Sequence, residues 1–153
     1  MNHFARFILN FFIYIAIVGG LIFGLPRFLS WSLQTPYPMA AVTSGSMWPV
    51  LNEGDLVFIQ GGQALADLKT GDIIVWRGVD GQGFTIHRIA KLNGSQITTK
   101  GDANFNADPA IEYDQVVGRA LTWPARLAGG GNKPVHIPYL GSITVLASNL
   151  QQK

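Results

Sequence analysis

The sequence predicts a mainly β domain, built of small antiparallel β-sheets, that follows one N-terminal transmembrane helix. One observation is a single long apolar segment near the N-terminus. The other is a series of short runs rich in Val, Ile, Thr and Phe, separated by turn residues, which is typical of strands. The chain of 153 residues fits one domain with one modest core.

The apolar segment covers residues 7–25 and contains no charged residue. As a helix, at about 1.5 Å per residue, it would be about 28 Å long, close to the ~30 Å hydrocarbon core of a bilayer. The alternative is a cleaved signal peptide, whose apolar region is shorter, about 7–15 residues. A cut after Ala40 or Ala41 would also fall very close to the candidate nucleophile described below. We therefore expect an uncleaved anchor.

Four regions follow from this pattern. Residues 1–28 are the expected membrane anchor, and residues 29–38 form a linker stiffened by two prolines. Residues 39–128 form the expected β domain. Residues 129–153 begin with a run of glycines and contain an apolar stretch, at 143–147, that is too short to cross a membrane.

Within the β domain, the spacing of apolar runs and turn residues predicts individual elements. Asp80-Gly81 and Asn93-Gly94 are predicted tight hairpin turns, which favours antiparallel pairing. One short segment, residues 64–68, has room for a single helical turn. The predicted strands are residues 55–60, 72–76, 85–90, 96–100 and 115–120.

Composition excludes several kinds of site. The absence of cysteine excludes disulfides, thiol catalysis and Cys-based zinc sites. The net charge of +2 comes from scattered Lys and Arg, so we expect no nucleic-acid partner. No His, Asp or Glu spacing indicates a metal site and no Gly-rich loop opens a helix, so we expect neither metal nor cofactor.

Two hydroxyls flank a glycine in the segment Ser-Gly-Ser-Met-Trp-Pro, residues 44–49. Ser46 is the candidate nucleophile. Its own backbone N–H and the Ser44 hydroxyl are candidate oxyanion donors, each such donor being typically worth roughly 10²–10³ in rate. Serine needs a base within hydrogen-bond distance, and His87, on a predicted strand, is the candidate.

An imidazole base benefits from a carboxylate that holds its tautomer. Asp102 and Asp108 both lie in predicted loops after the strand at 96–100. Both also suit ordinary turns, Asp108 especially because it precedes Pro109. The residues alone leave the choice between them open.

Taken in order, these segments resemble type I signal peptidases, specifically the branch found in the endoplasmic reticulum, archaea and some bacteria. Each motif is short, but the ordered series runs through nearly the whole chain. The matching segments are residues 44–49, 54–57, 71–75, 87–88, 100–104, 116–119 and 138–141.

The resemblance implies that Ser46 is the nucleophile of a Ser-His-Asp site and His87 its general base. His87 stands where the other bacterial and mitochondrial members carry lysine. Asp108 is assigned as the partner of His87, and Asp102 as a nearby supporting or alternative acid.

The residues just after the nucleophile are expected to meet the substrate. Met47 and Pro49 are the predicted substrate-binding residues. Trp48 stands where this branch usually has an acidic residue, so the contacts beside the nucleophile are expected to differ from those of relatives.

By the same resemblance, the chain is expected to be a membrane-bound serine endopeptidase that removes N-terminal signal peptides from exported pre-proteins. The N-terminus would lie in the cytosol and the catalytic domain on the extracytoplasmic or lumenal side. The substrate is expected to bind as an added strand with small side chains before the cut. Expected partners are pre-proteins and membrane lipid, with other membrane subunits as further candidates.

Two alternatives stay open from the sequence. One is a dedicated peptidase that acts on a few secreted substrates. The other is a non-catalytic, membrane-tethered β module that only binds extended peptides.

Overall fold

The computed structural model describes residues 3–78, 83–123 and 133–143. An N-terminal helix spans His3–Ser32, with a mean hydropathy of 2.3 in its most apolar window and none of that window buried. It consists of α1 (His3–Gly19), one π-helical turn (Gly20–Gly24) and α2 (Leu25–Ser32). By length and composition this helix is long and apolar enough to cross a membrane.

The helix ends later than predicted. Residues 29–32, which the sequence predicts as linker, form the end of α2. The reason is local: Pro26 lies at the start of α2, where proline is tolerated, and the next proline is Pro36. The extended connection therefore begins only after Ser32.

The strands confirm the mainly β prediction, and every strand pairing in the described part of the chain is antiparallel. Their hydrogen-bonded order is β1-β2-β7-β3-β4-β5-β6, with β8 also paired to β2. The strands are β1 (Met39–Ala41), β2 (Leu56–Gln60), β3 (Ile73–Arg77), β4 (Phe84–Asn93), β5 (Gln96–Lys100), β6 (Ile111–Glu112), β7 (Val116–Ala120) and β8 (His136–Ile137).

The five predicted strands correspond to β2, β3, β4, β5 and β7, with small shifts at their ends. The largest shift is in β4, which continues to Asn93. Its hairpin to β5 therefore turns at Gly94 and Ser95, one residue later than predicted, with Gly94 at φ +61° as tight hairpin turns require. The predicted turn at Asp80-Gly81 lies outside the described residues.

Two apolar clusters pack against opposite faces of β3, because successive residues of a strand point to opposite sides. Ile73 belongs to the first cluster, and Ile74 and Trp76 belong to the second. The first is formed by Val42, Met47, Leu51, Val57, Ile73 and Ala120. The second is formed by Leu68, Ile74, Trp76, Ile89, Ile97 and Ile111. The first cluster anchors the segment that carries Ser46, and the second anchors the strands β4 and β5.

The described part of the C-terminal segment, residues 133–143, packs onto the β domain. β8 pairs with β2, with Val57 opposite His136. Gly141 lies so close to the residue before β2 that a Cβ there would be 2.5 Å from the carbonyl oxygen of Asp55. The predicted glycine break and most of the apolar stretch at 143–147 lie outside the described residues.

Candidate active site

Ser46 lies in a single 3-10 turn, Gly45–Met47, and is held from two sides. On one side Met47, only 1% exposed, anchors the turn in the first apolar cluster. On the other side the N–H of Ala103 donates to the carbonyl oxygen of Ser46 at 2.9 Å. Gly101 permits this approach, because a Cβ at that position would lie 2.6 Å from the same carbonyl oxygen.

His87 lies on β4 and is buried, with 7% of its surface exposed. It stands opposite Ile74 of β3, a strand paired on both sides and packed on both faces. Its Nε2 is 3.0 Å from Oγ of Ser46, a residue 41 positions earlier in the chain. The fold thus brings the predicted nucleophile and base to hydrogen-bond distance.

Asp108 meets the other nitrogen of the same ring. Its Oδ2 is 2.6 Å from Nδ1 of His87. A carboxylate accepts at this position, so Nδ1 carries the proton and Nε2 is left as the acceptor that faces Ser46. This is the tautomer that a general base for Ser46 requires.

Thr99 extends the line of contacts through Ser46, His87 and Asp108, and the sequence did not predict it. Its hydroxyl donates to Oδ2 of Asp108 at 2.6 Å, and its side chain is fully buried on β5. Ile97 and Thr99 both point to the buried face of β5. The sequence signal that could have identified Thr99 is a hydroxyl at an apolar position of a predicted strand, because a buried polar group requires a hydrogen-bond partner.

Asp102 is directed elsewhere. Its two carboxylate oxygens accept from Nε and Nη2 of Arg88 at 2.8 and 2.7 Å. Arg88 also donates from Nη1 to the carbonyl oxygen of Gly71 at 2.8 Å. The hydrogen bond to Asp102 raises the pKa of Arg88 above its ordinary value, although burial acts in the opposite direction.

In the structure the Asp102 carboxylate is bonded to Arg88, whereas the carboxylate that meets His87 is that of Asp108. The physical reason is the alternation of side chains along β4. Arg88 follows His87 directly and points to the other face of the strand, so the two carboxylates are held on different sides.

The Ser44 hydroxyl lies beside the candidate nucleophile, with its Oγ 3.2 Å from Oγ of Ser46. Ser44 is extended and makes no side-chain capping bond to the turn that follows.

Trp48 is 62% exposed next to the site. Pro49 is also exposed and is not among the described residues that line the cleft, whereas Met47 is.

A cleft of about 630 Å³ leads to Ser46 and His87. One wall is β1 and its flanking residues, and the other is the first part of β4. In the described part of the chain, β1 pairs only with β2, and residues 84–87 pair only with β3, so both walls offer an unpaired strand edge. Four antiparallel pairings separate β1 from β4, so these two edges run in the same direction.

The described residues contain no group of three or more His, Asp or Glu side chains placed to hold a metal ion. At the cleft, a hydroxyl, an imidazole and a carboxylate are in contact. This is the arrangement used in nucleophilic catalysis by serine.

No protein-family model matches the chain. It is, however, similar to proteins named signal peptidase complex catalytic subunit SEC11. The relative from Sclerotinia sclerotiorum is 31% identical over 146 residues, which cover 92% of this chain and 79% of the relative. The relative from Verticillium alfalfae is 30% identical over 124 residues, which cover 78% of this chain and 69% of the relative. The relative from Neurospora crassa is 32% identical over 123 residues, which cover 75% of this chain and 66% of the relative. With this identity over most of both chains, the protein belongs to the family of signal peptidase catalytic subunits of the endoplasmic reticulum type.

Proposed function

We propose that this chain is a membrane-anchored serine endopeptidase that removes N-terminal signal peptides from exported pre-proteins. Family membership supports the reaction, and the apolar helix His3–Ser32 supports the anchor. The observation that supports the site most directly is the line of contacts from Ser46 through His87 to Asp108.

In the first half of the proposed reaction, Oγ of Ser46 attacks the scissile carbonyl carbon while Nε2 of His87 accepts the hydroxyl proton. Asp108 stabilises the resulting imidazolium through Nδ1. His87 then gives the same proton to the leaving nitrogen as the C–N bond breaks. The mature protein leaves with a free amine, and the signal peptide remains as an ester on Ser46.

In the second half, a water molecule replaces the departed amine. His87 accepts a proton from this water as its oxygen attacks the ester carbonyl. The proton returns to Oγ of Ser46 when the ester bond breaks. The signal peptide leaves with a new carboxylate, and Ser46 is ready for another cycle.

Two donors are proposed for the oxyanion that forms in both halves. One is the backbone N–H of Ser46, which lies in the first turn of a short helix, where amides have no partner within the turn. The other is the Ser44 hydroxyl, 3.2 Å from Oγ of Ser46. Each donor of this kind is typically worth about 10²–10³ in rate.

The substrate is proposed to bind as an extended strand between the free edges of β1 and β4. Ala40 and Ala41 line this cleft from β1, and Met47 lines it from the core. Because peptide backbones bind strand edges through main-chain hydrogen bonds, the side chains control specificity. Met47 lines the cleft next to Ser46 with only 1% of its surface exposed, and small side chains before the cut are proposed to pack against it.

We propose that the N-terminus lies in the cytosol and the β domain on the extracytoplasmic or lumenal side. The relatives are named as subunits of a signal peptidase complex. Other membrane subunits are therefore proposed as partners of this chain, together with membrane lipid and signal-peptide-bearing pre-proteins.

The proposed activity is tested with the full chain in detergent and a synthetic pre-protein. Ser46→Ala and His87→Ala are expected to abolish detectable cleavage, since removing any one of such a group leaves only the residual catalysis of binding and oxyanion donors. Ser95→Ala, at an exposed serine bonded to Glu112 on the β5–β6 edge, is the matched control and should cleave normally.

Circular dichroism and thermal unfolding show whether each variant is folded. Full activity in folded Ser46→Ala would contradict the proposed mechanism. If the wild type binds the signal peptide but never cleaves it, the chain is a peptide-binding module and not a peptidase.

A further inference from the structure

Two aromatic rings line the end of the cleft away from Ser46. Tyr37 precedes β1, Phe84 begins β4, and their ring centroids are 4.8 Å apart with an interplanar angle of 57°. The rings therefore bridge the two walls of the cleft. The guanidinium of Arg77, at the end of β3, lies 5.7 Å from the Tyr37 ring centroid and 6.0 Å from that of Phe84. We call these three residues the aromatic bridge.

The aromatic bridge is not part of the folded core. Tyr37 is 38% exposed and Phe84 is 45% exposed, and neither belongs to the two apolar clusters of the described residues. Both rings line the same cleft as Ser46 and His87. An exposed apolar pair gains free energy when a ligand covers it, at roughly 25 cal/mol per Å² of apolar surface removed from water.

The distance along β4 indicates which part of a bound peptide would cover the rings. Phe84 precedes His87 by three residues, which is about 10 Å at about 3.3 Å per strand residue. A peptide strand that runs beside β4, with its reacting residue next to His87, therefore has a residue three positions away next to Phe84.

The direction of that peptide follows from the position of the N-terminal helix. The helix ends at Ser32, and its end is tied to the β domain because the N–H of Gly61 donates to the carbonyl oxygen of Leu33 at 2.8 Å. Tyr37 follows shortly after, so the aromatic bridge lies at the end of the cleft nearest the anchor. In a signal peptide the apolar region precedes the cut. The membrane-side part of the substrate therefore enters over the aromatic bridge.

Resting on the proposed function, we propose that Tyr37, Phe84 and Arg77 form a substrate subsite for the side chain about four residues before the scissile bond. The two rings favour an apolar side chain through contact area. The Arg77 cation beside them disfavours lysine or arginine through charge repulsion. The subsite thereby selects precursors whose apolar region continues to within about four residues of the cut.

The test uses the full chain in detergent and peptides that differ at one position, from −3 to −6, with Leu, Ser or Lys there. The wild type is expected to show its largest preference for Leu over Lys, in kcat/KM, at −4 or −5. Phe84→Ala should reduce that preference about tenfold, the lower end expected for an apolar subsite. Arg77→Gln should raise cleavage of the Lys peptide and leave the Leu peptide nearly unchanged.

Tyr139→Ala is the matched control, because Tyr139 is a 75% exposed aromatic residue that is not among the described residues lining the cleft. It should retain the wild-type preference at every position. Equal loss for all peptides in Phe84→Ala, or an unchanged Lys-to-Leu ratio in Arg77→Gln, would overturn the subsite. Failure of the wild type to cleave any peptide would instead contradict the proposed function, so the two outcomes are separable.

Discussion

Thr99 and Asp108 are joined by two hydrogen bonds. The Thr99 hydroxyl donates to Oδ2 of Asp108 at 2.6 Å, and the Asp108 amide donates to the Thr99 carbonyl oxygen at 2.8 Å. The same Oδ2 is 2.6 Å from Nδ1 of His87. Strand β5 therefore fixes both the position and the orientation of the carboxylate that meets the imidazole.

Thr99→Val tests this positioning role. Valine keeps the shape of threonine but removes a donor to a charged acceptor, an interaction typically worth about 1.5–3 kcal/mol. We expect kcat to fall about tenfold or more with KM nearly unchanged, because the Asp108 carboxylate loses one of the two groups that orient it. Thr99→Ser, which restores the donor, should recover most of the rate. Equal kcat for wild type and Thr99→Val would contradict the role.

The two aspartates are distinguished by parallel substitutions. Asp108→Asn should lower kcat by about 10⁴, because an amide at this position favours the wrong imidazole tautomer. Asp102→Asn should lower kcat far less, since its partner is Arg88. Its main effect should be on the free energy of unfolding, by about 1–2 kcal/mol because the pair is partly exposed to solvent.

Urea unfolding and single-turnover cleavage, measured on both variants, separate these effects. A folded Asp102→Asn variant that loses as much rate as Asp108→Asn would show that the acid was assigned to the wrong residue.

The pair of Arg88 and Asp102 also makes a prediction about pH. The pKa of Arg88 is raised in the folded state by the hydrogen bond to Asp102. A raised folded-state pKa contributes stability that is complete below the unfolded-state value and is lost only as pH rises through the folded-state value. For arginine both values lie above the working range. The difference in unfolding free energy between wild type and Arg88→Gln should therefore be equal at about pH 7 and about pH 10. A difference that shrinks at the higher pH would contradict this interpretation.

Gly101→Ala should displace the nucleophile. The added Cβ would lie 2.6 Å from the carbonyl oxygen of Ser46, so the backbone at one of the two residues must move. Displacements of about 1 Å can cost about 10² in rate. We expect kcat to fall by about that factor and the free energy of unfolding to fall by about 1–3 kcal/mol, because a tight backbone contact must open. Wild-type kcat in this variant would mean that the turn tolerates the shift.

The longer β-strands could be predicted from the sequence because runs such as Asp-Ile-Ile-Val-Trp, residues 72–76, have few alternatives once turns bound them. Strands β1, β6 and β8 were missed. They contain two or three residues each, too few to show a periodicity, and they exist only because a longer neighbour is available for pairing.

Some residues of the candidate site could likewise be predicted from the sequence, and others could not. Ser46 and His87 could be selected from the sequence because few residue types can attack or accept a proton, and the chain has only three histidines. The residues alone could not decide between Asp102 and Asp108, and only the family resemblance favoured Asp108, since the choice depends on which face of β4 each loop reaches. Arg88 and Thr99 were likewise missed as partners, because their contacts are set by the packing of β4 against β5 and the loops that follow.

The continuous helix from His3 to Ser32 has a consequence for where cleavage takes place. At about 1.5 Å per residue it measures about 45 Å, more than the ~30 Å of a hydrocarbon layer. The helix must therefore tilt, or its end must protrude into the headgroup region. Because Leu33, just after the helix, is bonded to Gly61 of the β domain, we expect lipid thickness to change the height of Ser46 above the bilayer. Thicker membranes should therefore slow the processing of inserted precursors and leave short water-soluble peptides unaffected.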